Sequence, residues 1–212
     1  YWIEATAKFR HKSLHWTAVP IDVSPLFQQY FFETKQSVIL TSATLTVGKT
    51  FDYAISQVGL EPYEKNDRLK SVLLTSPFDY RKQSLVCIPR DFPKINGPGG
   101  ETEFTEQLTN SLSDIARKTK GRLLVLFTSY RMLKQVHVLL KEELSTDGVE
   151  VLGQGIESNN RSKLTRWFQQ SKACVLLGTS SFWEGVDIPG DALTVFAIVR
   201  LPFQPPNHPV VG

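Results

Sequence analysis

The sequence predicts an α/β fold built on a parallel β-sheet with helices on both faces. In its second part, short apolar runs alternate four times with longer segments whose apolar residues recur at helical spacing. The short runs are unbroken rather than alternating with polar residues, as is typical of strands buried on both faces. The chain of 212 residues is 41% hydrophobic, which is enough to bury such a sheet.

The first part of the chain is less regular. Residues 1–35 are rich in aromatic and β-forming residues and predict one or two strands followed by a short helix. That helix opens at Ser24, a capping residue that a proline follows. The apolar run at 37–41 predicts a strand buried on both faces, and residues 50–58 predict a helix that Gly59 ends.

A turn-like joint at residues 75–81 predicts the main boundary, between domains at 1–76 and 77–212. Beyond it, a Pro/Gly loop spans residues 89–100, and the periodicity predicts five strands and three helices. The predicted strands are 85–88, 123–127, 149–152, 174–177 and 195–199, and the predicted helices are 101–119, 130–145 and 159–170.

Composition narrows the classes of function. The net charge of +3 permits a nucleic-acid partner without requiring one. Cys87 and Cys174 each lie in an apolar run and predict two buried, reduced thiols of a cytoplasmic protein. A zinc site or an iron–sulfur cluster takes about four ligands, so cysteines alone do not build one here. The longest apolar runs, about eight residues, are too short to cross a bilayer and predict no membrane partner.

Three predicted strands end in small hydroxyl residues that suit phosphate binding. The segments are VILTSATL at 38–45, GRLLVLFTSY at 121–130 and VLLGTSSFWEGVDIPG at 175–190. Small residues let backbone N–H groups approach an anion, and hydroxyls add further donors. Such contacts follow a nucleic-acid backbone without reading its sequence. One Thr-Ser pair is more often a turn or a helix cap, but three on one sheet favour phosphate binding.

The third of these loops carries further candidate groups. Glu184 and Asp187 are acceptors for a ribose hydroxyl, a metal-bound water or a basic partner. Because an unpaired buried carboxylate is costly, we expect each to have a partner, either Arg200 or a backbone N–H. Trp183 fits either core packing or stacking on a base.

Other catalytic constellations are missing from the sequence. It contains no GxxxxGK[ST] phosphate loop, no DEAD-like acidic box and no GxSxG elbow. His11 and His15 lie four residues apart in a strand-like segment without an acidic cluster, which argues against a metal site. His137 lies on a predicted helix, facing solvent or packing, and His208 lies in the terminal loop.

Taken together, these segments resemble helicase motifs. VILTSATL resembles motif III of superfamily 2, LLVLFTSY resembles motif IV of its DinG/XPD branch, and GTSSFWEGVDIPG resembles motif V of that branch. The segment LPFQPPNHP at 201–209 is similar to the one that follows motif V. Order and spacing agree along essentially the whole chain, which therefore resembles a bacterial DinG helicase of the Gram-positive, exonuclease-fused type.

The resemblance implies a motor of two RecA-like domains, with ATP between them and single-stranded DNA lying across both. Residues 1–76 would be the C-terminal remnant of the first domain, and residues 77–212 the second domain, ending before motif VI. The strand at 38–40 would then have lost its neighbours. ATP and Mg²⁺ would serve the intact protein, while an iron–sulfur cluster of the family would be held upstream and is not encoded here.

The resemblance also assigns roles to individual residues. Coupling of nucleotide state to DNA falls on Thr41, Ser42, Ala43 and Thr44; DNA binding on Thr128, Ser129, Thr179 and Ser180; and nucleotide binding on Glu184, Gly185, Asp187 and Arg200.

Three functions remain open from the sequence. The first is part of an ATP-dependent DNA helicase of replication or repair. Because the phosphate loop, the acidic box and motif VI are missing, we expect no ATP hydrolysis by this chain alone. The second is a nucleotide- and DNA-binding regulatory module of a DinG-type 3'-5' exonuclease. The third is an α/β domain without a nucleic-acid role.

Overall fold

A computed structural model of the chain describes residues 2–8 and 11–203. Internal contacts divide the described residues into two compact units, the first before residue 87 and the second at residues 87–203. The domain boundary predicted between residues 76 and 77 rests on the resemblance to a two-domain motor, and it stays a prediction.

The first unit contains one antiparallel strand pair and several short helices, as predicted for residues 1–35 and 50–58. Gly59 ends the second helix with a φ of 74°, a left-handed conformation that glycine adopts without strain. The described elements are β1 (Trp2–Lys8), β2 (His11–Thr17), α1 (Ser24–Phe27), a π-helical turn (Gln28–Phe32), α2 (Asp52–Val58), α3 (Glu61–Lys65) and α4 (Tyr80–Gln83).

The buried strand predicted at 37–41 is wrong. This segment forms no strand, and 89% of Ile39 is exposed. A strand buried on both faces needs hydrogen-bonded neighbours and covering helices. Within the described part of the first unit, the sheet consists of β1 and β2 alone, so the apolar run has no strand to pair with.

The strand predicted at 85–88 is also wrong. Leu85, Val86 and Ile88 are largely exposed, because none of the described strands pairs with this segment. Cys87 is exposed with them, so the prediction of two buried thiols fails for this residue. It holds for Cys174, where burial raises the pKa of the thiol to about 12.

The second unit is the predicted α/β fold. Its four strands are all parallel and stand in the order β4-β5-β3-β6. Each predicted element between residues 101 and 199 is present within a few residues of its predicted ends. These are α5 (Gly100–Thr119), β3 (Leu123–Leu126), α6 (Tyr130–Glu143), β4 (Glu150–Gly153), α7 (Arg161–Gln170), β5 (Cys174–Gly178) and β6 (Val195–Ile198), with 3-10 turns at Ser180–Phe182 and Gly190–Ala192.

Helices cover both faces of this sheet. On one face, Val125 and Phe127 pack with residues of α5 and α6, such as Leu112 and Leu133. On the other face, Leu164 of α7 joins a second cluster with the even-numbered residues of β3. Alternate strand residues point to opposite faces, so a strand with apolar residues on both faces needs both layers. No helix in the described part of the chain is long and apolar enough to span a membrane.

Candidate functional site

The carboxyl edge of the second unit's sheet gathers two of the three predicted hydroxyl loops. Because β3, β5 and β6 are parallel and adjacent, the residues that follow them emerge at the same edge. The amide of Phe127 donates to the carbonyl of Gly178 at 2.9 Å, and that of Val199 donates to the carbonyl of Leu126 at 3.0 Å. These bonds continue the sheet up to the loops.

The loop after β3 presents Thr128 and Ser129, and both are exposed. Ser129 is also the N-cap of α6, where its hydroxyl accepts a hydrogen bond from the Met132 amide at 3.5 Å. The capping role that such a residue commonly has is therefore present. Thr128 lies beside it at the surface, at the edge where ligands bind in sheets of this kind.

The loop after β5, residues 178–187, is called the motif V loop below. Thr179 is buried, and both its amide and its hydroxyl donate to Oε1 of Gln154, at 2.9 and 3.0 Å. The Nε2 of Gln154 donates to the Ser181 hydroxyl at 2.8 Å. Ser180, between the two, is exposed. The loop is thus held from β4, the strand next to β5.

A cation from α7 holds the other side of the motif V loop. Arg161 Nη1 donates to the carbonyls of Ser181 and Glu184, at 2.9 and 3.0 Å. Trp183 is partly buried in the α7-side cluster, and its Nε1 donates to the carbonyl of Phe127 at 3.4 Å. Of the two functions that fit this tryptophan, the structure shows packing.

Two glycines suit the path of the motif V loop. A Cβ added at Gly178 would lie 2.6 Å from Cγ of Phe182, because this ring folds back over the end of β5. Gly185 has a φ of 65°, which a residue with a side chain adopts only with strain. Gly178 therefore allows a close contact within the loop itself.

The carboxylates of Glu184 and Asp187 are both exposed. Within residues 2–8 and 11–203, neither carboxylate forms an ion pair or a side-chain hydrogen bond. The expectation of a partner, Arg200 or an N–H, is therefore wrong, since water solvates an exposed carboxylate and burial never arises. The backbone carbonyl of Asp187 accepts a bond from Gln169 at 3.4 Å, and Arg200 is exposed after β6.

The amino-acid sequence was compared with those of known protein families and proteins. Residues 112–212 match the model of the helicase C-terminal domain. This stretch contains β3 to β6 and both hydroxyl loops at the carboxyl edge. Residues 112–212 are therefore similar to helicase C-terminal domains.

Similarity to bacterial proteins named as helicases or as an exonuclease extends along the chain. It is 40% identical to the 3'-5' exonuclease DinG of Bacillus subtilis (strain 168) over 209 residues, 99% of the chain and 22% of that protein. It is 36% identical over 211 residues to the ATP-dependent DNA helicase YoaA of Escherichia coli (strain K12), covering 100% of the chain and 30% of the relative.

The chain is 31% identical over 211 residues to the ATP-dependent helicase DinG of Mycobacterium tuberculosis (strain ATCC 25618 / H37Rv). The match covers 100% of this chain and 30% of that protein. The chain thus spans less than a third of the length of these relatives. The predicted resemblance to the DinG group is confirmed.

The four residues predicted for coupling lie outside the matched residues 112–212, in the first unit. Thr41, Ser42, Ala43 and Thr44 form an exposed turn. The Ser42 hydroxyl lies 3.1 Å from that of Thr44 and accepts a hydrogen bond from the Thr44 amide. The turn is locally ordered by its own side chains, and its coupling role stays a prediction.

Two residues of the second unit that hold the motif V loop, Gln154 and Arg161, were not predicted from the sequence. Gln154 is a polar residue immediately after the apolar strand β4, the signal used for the other loops, but it lacks a neighbouring hydroxyl pair. Arg161 opens α7 and carries no sequence signal of its own. Both residues contact a loop that is distant from them in sequence, and the order of the strands brings them next to it.

The remaining titratable groups do not form a metal centre in the described residues, where no three His, Cys, Asp or Glu side chains come together. His15 lies on β2, and His137 is packed within the second unit against Glu157, with 3.1 Å between Nε2 and Oε1. His208 lies outside the described residues.

Proposed function

We propose that this chain is the coupling and DNA-gripping part of an ATP-dependent DNA helicase that acts on single-stranded DNA in replication or repair. The observation that carries this proposal is the carboxyl edge of the helicase C-terminal domain, where exposed Thr128 and Ser180 lie at the ends of adjacent parallel strands. Hydroxyls and amides at such an edge suit a phosphate backbone of any sequence.

In this proposal, Thr128, Ser129 and Ser180 contact DNA phosphates directly. Thr179 contributes through the shape of the loop, because its hydroxyl already donates to Gln154. Ser129 combines the contact with capping of α6, so a phosphate there would also meet the amide end of that helix.

For nucleotide binding we propose Glu184, Gly185, Asp187 and Arg200, all exposed at the same edge. A complete ATP site needs a phosphate loop and an acidic box that are not in this sequence. ATP and Mg²⁺ would therefore be bound largely by other parts of the intact protein, in the cytoplasm. Residues 1–76 would be the end of the first RecA-like domain and residues 77–212 most of the second.

Strand separation by the intact protein tests the proposal. With a forked DNA duplex we expect ATP to drive release of one strand, and a non-hydrolysable ATP analogue to support none. Degradation of the DNA with no unwinding would reject the helicase function.

The second candidate is a regulatory module for a 3'-5' exonuclease. It is favoured by the name of the Bacillus subtilis relative, which is 40% identical to this chain. In that case ATP and DNA would change the rate of DNA degradation by an upstream active site, without strand separation. Measuring labelled product from the 3' end in the same reactions distinguishes the two candidates.

For the 212-residue chain alone, we expect single-stranded DNA binding without ATP hydrolysis. Two of the three hydroxyl loops lie on one unit, but the net charge is only +3, so the Kd should be roughly 10–100 μM and should rise with salt. Fluorescence anisotropy of a labelled oligonucleotide at several salt concentrations measures the first expectation, and phosphate release from ATP the second. Measurable turnover by this chain would contradict the proposed division of the motor.

A further inference from the structure

We propose that Gln154 is a positioning residue that clamps the residues on both sides of Ser180 and so presents the Ser180 hydroxyl to DNA. The effect of this clamp on DNA binding rests on the proposed function above. The clamp itself is a property of the motif V loop and can be tested without DNA.

The side chain of Gln154 forms hydrogen bonds to the residues before and after Ser180. The side chain of Gln154 is buried, and its two polar atoms reach the same loop. Oε1 accepts from the amide and the hydroxyl of Thr179, and Nε2 donates to the hydroxyl of Ser181. A buried amide used in this way is well satisfied and resists rearrangement.

Ser180 itself is left free by this arrangement. It is exposed, and among the described residues its hydroxyl takes part in no side-chain hydrogen bond. Its position is therefore set by its neighbours Thr179 and Ser181. An exposed hydroxyl with an unused donor, held on a short turn, suits a phosphate oxygen.

Gln154 is in turn anchored to the scaffold. The backbone amide of Gln154 donates to the carbonyl of Leu177 at 2.9 Å. The preceding amide, of Gly153, donates to Oε2 of Glu157 at 2.7 Å. Oε1 of this carboxylate meets Nε2 of the buried His137, on α6, at 3.1 Å. Because Ser129 caps α6, the loop after β3 and the motif V loop are both attached to the same helix and sheet.

The decisive variant is Gln154→Met in the intact protein, because methionine has a similar length and forms none of the three bonds. We expect single-stranded DNA affinity to fall roughly 5- to 10-fold. Hydrogen exchange in the peptide spanning residues 178–184 should accelerate, since the Thr179 amide loses its acceptor. The matched control is Thr109→Val, which removes a buried hydroxyl that bonds only within α5. Its affinity and exchange at 178–184 should stay at the wild-type level.

A double-mutant comparison shows whether Gln154 acts through Ser180. We expect Ser180→Ala to weaken DNA binding less in the Gln154→Met background than in the wild type. Full additivity of the two changes would overturn the inference. If Gln154→Met does not fold, Ser181→Ala removes one arm of the clamp at the surface and should accelerate exchange at 178–184.

Failure of the clamp and failure of the proposed function have different signatures. Unchanged exchange at 178–184 in Gln154→Met, or in Ser181→Ala where that variant is needed, overturns the clamp. If the wild-type protein binds no single-stranded DNA, presentation of Ser180 to DNA is refuted together with the proposed function. Accelerated exchange in the variant would still support the loop geometry in that case.

Discussion

Gly121→Ala should lower the free energy of unfolding of the second unit by about 3–5 kcal/mol. Gly121 connects α5 to β3 with a φ of 76°. A Cβ at this position would lie 2.8 Å from the carbonyl carbon of Ala173 and 2.9 Å from the carbonyl oxygen of Cys174, with the Cys174 amide closer still. These are backbone atoms at the start of β5, so they yield only if strands shift. Urea unfolding followed by circular dichroism measures the change.

Gly148→Ala is the matched control for this experiment. Gly148 has a φ of 68°, but nothing lies within 4 Å of an added Cβ. It therefore carries the backbone strain without the clash, and the expected loss is about 1–2 kcal/mol. Equal losses in the two variants would mean that contact with β5 does not limit this turn.

Asp187→Ala in the intact protein should lower ATP turnover by about tenfold, or 1.4 kcal/mol of transition-state stabilisation, while DNA affinity changes less. In the proposed function, the Asp187 carboxylate faces the nucleotide. It is exposed, and the hydrogen bond of this residue to α7 uses its backbone carbonyl. Its removal should therefore leave the fold intact. Steady-state phosphate release and oligonucleotide anisotropy measure the two effects.

Asp191→Ala provides the comparison for charge alone. Asp191 is an exposed carboxylate in the 3-10 turn that follows the same loop. It should leave ATP turnover within about twofold of wild type, because exposed charges contribute little at a distance. An unchanged turnover rate in Asp187→Ala would reject the nucleotide-facing assignment of that residue.

Much of the second unit could be predicted because its signals are local. The apolar residues of α5 and α6 recur at helical spacing, and those of β3 and β5 form unbroken runs, so each segment indicates both its type and its burial. The runs at 37–41 and 85–88 carry the same local signal but form no strand. A strand depends on partner strands that lie at any distance along a protein, and a local pattern does not reveal whether they are present.

The candidate site divides in the same way. Strand ends and hydroxyl pairs locate Thr128 and Ser180 at an edge, because parallel strands place their carboxyl ends together. The burial of Thr179 and the exposure of Glu184 and Asp187 were not predictable from these pairs. The burial of Thr179 depends on β4 lying beside β5, because Gln154 follows β4.

By itself, the sequence determined the α/β class, the helices and strands of the second unit, the helicase resemblance and the loops that carry its motifs. These follow from the periodicity of neighbouring residues and from short contiguous motifs. Only the tertiary structure decided that Gln154 and Arg161 hold the motif V loop. Their hydrogen bonds span about 20 residues or more of chain, and they form because the sheet places β4 next to β5 and α7 beside them.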